Sequence, residues 1–65
     1  MKILLNGSPQ EVPETTLSTL LENQGLGGAK VATAVNGAFI PATMRDDYLI
    51  QEGDSIEVLA PMQGG

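Results

Sequence analysis

This chain contains no cysteine and no histidine. No side chain can therefore act as a thiolate nucleophile, and none has the imidazole that exchanges protons near neutral pH. Soft metal sites lose their usual ligands as well. The sequence pairs no nucleophile with a base and no acid with a base. These absences predict a protein that is not an enzyme and holds no metal or cofactor of its own.

Basic residues are also scarce. Lys2, Lys30 and Arg45 stand against eight acidic residues, for a net charge of −5. Nucleic-acid binding requires clustered Lys and Arg, so we do not expect nucleic acid as a partner. An acidic surface suits a partner with a basic groove, although it equally aids solubility. The apolar runs fall far short of the ~20 residues of a membrane span, and the start lacks a signal peptide. We expect no membrane contact and a cytoplasmic location.

Apolar periodicity and turn residues predict one small domain in the order strand, strand, helix, strand, strand, strand. Leu17, Leu20 and Leu21 form one apolar stripe on the helix, and Asn36-Gly37 is a strong hairpin signal. The predicted strands cover residues 2–6, 10–14, 31–36, 38–41 and 55–60, and the helix covers about 16–24.

One helix can cover one face of a sheet. The first and last strands are the most apolar, so we expect them to pair in parallel at the centre. The fold class is then α+β, a β-grasp mixed sheet of four to five strands on one α-helix. "GLGGAK" follows the helix as an exit turn, because a phosphate-binding loop would precede one. Segment 42–54 is predicted as a polar connection anchored by Met44, Tyr48, Leu49 and Ile50.

The two central strands alternate between faces. The residues expected to face the helix are Ile3, Leu5, Ile56 and Val58. Leu4 and Leu59 must then face the other way, on neighbouring strands that no helix covers. They predict a small exposed apolar patch that is either a partner-binding site or idle surface.

The chain ends in "APMQGG", which is predicted as a flexible tail, 61–65, after a domain of residues 1–60. Pro61 forbids helix before it and stiffens the exit from the last strand. Glycine has no Cβ, so the end of the tail could thread a narrow channel and present its carboxylate. A partner enzyme could adenylate that carboxylate, and a sulfur or nitrogen nucleophile could then displace AMP.

"AVNGAFIP" and "EGDSIEVLAPMQGG" together resemble the ThiS family, the ubiquitin-like sulfur carriers of thiamine (thiazole) synthesis, over essentially the whole chain. The resemblance implies that an E1-like, ThiF-type adenylyltransferase consumes ATP and magnesium to adenylate Gly65. A persulfide sulfur donor, acting through a protein cysteine, would then give a thiocarboxylate. A ThiG-type thiazole synthase would take the sulfur. The residues that match the part of the tail lying in partner active sites are Pro61, Met62, Gln63 and Gly64.

The residues leave three other functions open. The chain could carry sulfur for another pathway, such as molybdopterin or another thiolated metabolite. It could be a ubiquitin-like modifier conjugated to lysines through Gly65. It could also be a β-grasp interaction module whose tail has no role.

Overall fold

The computed structural model describes residues 1–26 and 30–59 of the chain. They form five strands, one α-helix and one 3₁₀ helix: β1 Lys2–Leu5, β2 Ser8–Glu11, α1 Leu17–Asn23, β3 Ala32–Val35, β4 Ala38–Ile40, the 3₁₀ helix Ala42–Asp47 and β5 Ser55–Leu59. The predicted element order is confirmed. Gly27 and Gly28 of the "GLGGAK" turn, and the predicted last residue of the final strand, Ala60, lie outside the described residues.

The five strands form one mixed sheet in the order β2-β1-β5-β3-β4. β1 and β5 run parallel at its centre, as predicted, and antiparallel hairpins complete both sides. Each hairpin turns on an Asn-Gly pair in the left-handed region, with φ of 50° at Asn6 and 52° at Asn36. Asparagine tolerates this conformation and glycine adopts it freely, so both turns match the twist of the strands. The β-grasp prediction is correct.

The core lies between α1 and one face of the sheet. Its buried members are Ile3, Leu17, Leu20, Leu21, Val35, Ile40, Ile50 and Ile56. Leu5 and Val58 are half-buried against them. The predicted helix-facing set on the two central strands is therefore confirmed.

Both ends of α1 are capped by hydrogen bonds to backbone groups that the helix itself leaves unpaired. The hydroxyl of Thr16 accepts from the backbone N–H of Thr19 at 3.2 Å. At the other end Gly25 has φ of 79°, and Leu26 N–H donates back to Leu21 O at 2.8 Å. This is the Schellman arrangement, which satisfies carbonyls that a helix end would otherwise leave unpaired.

The second strand begins and ends earlier than predicted, because it covers Ser8–Glu11. The sequence indicated a longer turn and a strand over 10–14, but Asn6-Gly7 completes the turn by itself and Ser8 already pairs with Leu5. Pro9 is tolerated because β2 is an edge strand, where a missing N–H can face solvent.

The connection between β4 and β5 is anchored differently from the prediction. Ile50 is buried and Tyr48 half-buried, but Met44 is 54% exposed and Leu49 is 64% exposed. Leu49 is tied through its backbone, which bridges to Thr16, so its side chain is left outside. The unexpected anchor is Arg45, which donates to the carbonyl of Val31 at 2.6 Å and to the hydroxyl of buried Thr33 at 3.1 Å.

Candidate functional site

The face of the sheet opposite α1 carries an apolar surface beside the end of β5. Ile56 is buried, so by alternation Glu57 and Leu59 point to the open face. Directly paired residues share a face, and Leu59 pairs with Ala32 while Glu57 pairs with Ala34. Phe39 of β4 lies in the same cross-strand row as Glu57 and Ala34, because it pairs with Ala34 from the other side.

We call Ala32, Ala34, Phe39 and Leu59 the Leu59 surface. Leu59 is 65% exposed and Phe39 is 66% exposed. The two alanines between them are too small to cover either side chain. Large apolar side chains with this much exposure, clustered at one place, are typical of a protein contact rather than of scattered surface residues.

Leu4 lies on the same open face but outside this surface. It pairs with Ser55, four residues before Leu59 along β5, which corresponds to about 13 Å at ~3.3 Å per residue. Its exposure is 39%, and Pro9 is its partner on the other side. Leu4 and Leu59 therefore occupy neighbouring strands, as predicted, but they do not form one continuous patch.

Of the two large side chains on this surface, Leu59 is predicted from the sequence and Phe39 is not. Its neighbour Ile40 is an inward-facing core residue, so the alternation of β4 turns Phe39 outward. Assigning faces to "AFIP" as well as to the two central strands would have found it.

No group of three or more potential metal ligands occurs in the described ranges. A groove of about 510 Å³ does open at the start of α1, lined by residues that include Glu14, Thr16, Leu49 and Glu52. Met1 also lines it, so the groove lies near the start of β1, at the opposite end of the parallel central strands from Leu59. None of its lining residues is a histidine, cysteine or lysine.

The predicted tail residues lie outside the described residues: Pro61, Met62, Gln63, Gly64 and Gly65. They follow Leu59 in the chain with one residue, Ala60, between. The Leu59 surface is thus the part of the described structure that borders the tail in sequence. No helix among the described residues is long and apolar enough to cross a bilayer.

Comparison with known proteins assigns this architecture to a family. The model of the ThiS family matches residues 3–65. A relative named sulfur carrier protein ThiS, from Thermus thermophilus, is 35% identical over 63 residues, which cover 97% of this chain and 98% of the relative.

Two solved structures of a thiamine biosynthesis protein from Geobacter metallireducens have the same fold. The crystal structure, whose protein is named as ThiS, superposes with a TM-score of 0.86 at 28% identity and covers 100% of both chains. The solution structure has a TM-score of 0.81 at 26% identity and covers 100% of this chain and 88% of the other.

Proposed function

Because this chain belongs to the ThiS family, we propose that it carries sulfur on the carboxyl group of Gly65. The family's members are sulfur carriers of thiamine biosynthesis, without enzymatic activity and without a cofactor of their own. The observation that carries the proposal is that the family match runs through Gly65, at the end of the segment that follows the exposed Leu59 in the chain.

The chemistry follows from the end of the tail. An E1-like, ThiF-type adenylyltransferase with ATP and magnesium joins AMP to the Gly65 carboxylate and releases pyrophosphate. The terminal sulfur of a cysteine persulfide then attacks the acyl carbon, and AMP leaves with one oxygen. A thiol cleaves the resulting disulfide, so that the sulfur remains on Gly65 as a thiocarboxylate. A ThiG-type thiazole synthase receives that sulfur.

The tail contributes access rather than catalysis. Gly64 and Gly65 have no Cβ, so their backbone fits a channel too narrow for side chains. Met62 and Gln63 are uncharged and enter a groove without the cost of desolvating an ion. Pro61 restricts the conformations of the chain just before them. Residues 61–65 thus serve as the inserted segment, and 1–60 serve as the domain that partners recognise.

The Leu59 surface is the proposed docking site for these partners. Apolar side chains at the centre of an interface supply most of its affinity, and a surrounding polar rim supplies orientation. Glu57 borders the surface and the chain has a net charge of −5, so a basic rim on the partner is expected. Leu4 is proposed as a contact at the edge of the interface, because it lies on the same face about 13 Å from Leu59 along the strands.

ATP–pyrophosphate exchange tests the first step. The adenylyltransferase is incubated with ATP, labelled pyrophosphate and either the full chain or a variant that ends at Gln63. We expect exchange with the full chain and none with the shortened one, whose fold should be unchanged because residues 1–59 are the same. Equal exchange by both chains would refute adenylation at Gly65 and favour an interaction module.

A further inference from the structure

On the side of β5 that faces β1, the last hydrogen-bonding position is filled by a side chain and not by the β1 backbone. Leu4 N–H donates to Asp54 O at 2.9 Å, and Asn6 N–H donates to Ile56 O at 2.8 Å. Asp54, just before β5, and Ile56 thus direct their carbonyls towards β1, and Val58 is the next residue in this alternating series. The chain turns away at Asn6-Gly7 into β2, so no further β1 backbone is available for Val58.

The side chain of Asn6 takes the place of that missing backbone. Its Oδ1 accepts from the Val58 N–H at 2.8 Å, and its Nδ2 donates to the Val58 carbonyl at 3.4 Å. A carboxamide carries one acceptor and one donor side by side, as a peptide group does. Asn6 thus extends the parallel ladder by one position, up to the residue before Leu59.

We propose that Asn6 is a positioning residue for the C-terminal tail. By holding both backbone groups of Val58, it fixes the direction in which the chain passes Leu59 towards the tail. This inference rests on the proposed function, since a fixed exit matters only if the tail must enter a partner's active site. A partner that docks on the Leu59 surface then meets a fixed point from which the tail departs, which lowers the entropy lost when the tail is inserted.

The second Asn-Gly turn provides a matched control. Asn36 has nearly the same left-handed φ, and its carboxamide also makes two hydrogen bonds. Those bonds go to the side chain of Asp54 and the N–H of Ser55, both at 2.9 Å, at the beginning of β5. Asn36→Gly and Asn6→Gly therefore remove the same group from the same kind of turn, at opposite ends of the same strand.

The first measurement is amide hydrogen exchange in the free protein, followed by NMR. Asn6→Gly should speed exchange of the Val58 amide at least about five-fold, the usual value of one net hydrogen bond. Asn36→Gly should leave Val58 unchanged and speed exchange at Ser55. An unchanged exchange rate of the Val58 amide in Asn6→Gly would refute the claim that Asn6 holds the Val58 backbone.

The second measurement is the steady-state rate of adenylation, with each carrier as the varied substrate. The Leu59 surface is intact in Asn6→Gly, so KM should change less than about two-fold while kcat falls about five-fold or more. Asn36→Gly should match the wild type in both constants. An unchanged kcat, or a raised KM at constant kcat, would refute the positioning role.

A third variant keeps the proposal testable if Asn6→Gly does not fold. Asn6→Asp retains an acceptor for the Val58 N–H and places a second oxygen against the Val58 carbonyl, so it should also lower kcat. If Asn6→Gly is unfolded, a wild-type kcat in folded Asn6→Asp overturns the proposal. If the wild-type chain itself is not adenylated, the proposed function fails, and the exchange data still decide whether Asn6 holds Val58.

Discussion

Replacing Leu20 by alanine should remove most of the stability of this domain. Leu20 is 1% exposed and lies at the middle of the stripe that α1 packs on the sheet. Removal of a buried leucine to alanine costs about 2–5 kcal/mol, from lost burial and the cavity that remains. A domain of this size has only about 3–5 kcal/mol in total. With seven residues, α1 is also too short to persist without its packing.

Urea unfolding followed by circular dichroism measures the effect. At a slope of about 1 kcal/mol/M, a loss of about 3 kcal/mol lowers the midpoint by about 3 M. Leu49→Ala is the control, because the same atoms are removed from a side chain that is 64% exposed, and its free energy of unfolding should change by less than about 0.5 kcal/mol. A loss below about 1 kcal/mol for Leu20→Ala, or equal losses for both, would refute the assignment of the core.

Three further changes probe the surface, a buried carboxylate and the helix start. Leu59→Asp should lower kcat/KM for adenylation at least about ten-fold, because it places a charge in the proposed docking surface. Leu49→Asp is the control, since Leu49 is equally exposed but lies off the sheet, and it should leave kcat/KM unchanged. Equal activity of the two variants would exclude this surface as the docking site. Asp54→Asn should lower the free energy of unfolding by about 1–3 kcal/mol in a chemical melt. Both oxygens of Asp54 accept hydrogen bonds, one from the Asn36 side chain and one from the Gln51 N–H, and the NH₂ group of an asparagine cannot accept either of them. A cost near zero would contradict that network. Thr16→Ala removes the N-cap acceptor and should lower the thermal midpoint by an amount equivalent to about 1 kcal/mol, and an unchanged midpoint would show that the cap is dispensable.

The fold could be predicted because local signals agree with one another. The leucine stripe, the helix-ending Gly25 and the Asn36-Gly37 turn each specify their element without long-range information. The parallel pairing of the first and last strands followed from their apolar character, since the most buried strands occupy the centre of a sheet.

The parts that could not be predicted depend on contacts between distant residues. The hydrogen bond between Arg45 and buried Thr33 joins a connection to a strand, and neither residue type indicates it. Leu49 is predicted as an anchor because it is apolar, but its backbone pairs with Thr16 and its side chain is exposed. The sequence predicts one patch for Leu4 and Leu59 on neighbouring strands, but the register of the parallel pair places Leu4 beside Ser55, four residues before Leu59.

The most direct test of the sulfur-carrier account is the intact mass of the protein after reaction. The chain is incubated with ATP, magnesium, the E1-like enzyme and a persulfide donor, and fragmentation then locates any change. The account predicts a mass increase equal to one sulfur minus one oxygen, confined to Gly65. An unmodified Gly65, with enzyme and donor proven active on another carrier, would contradict it.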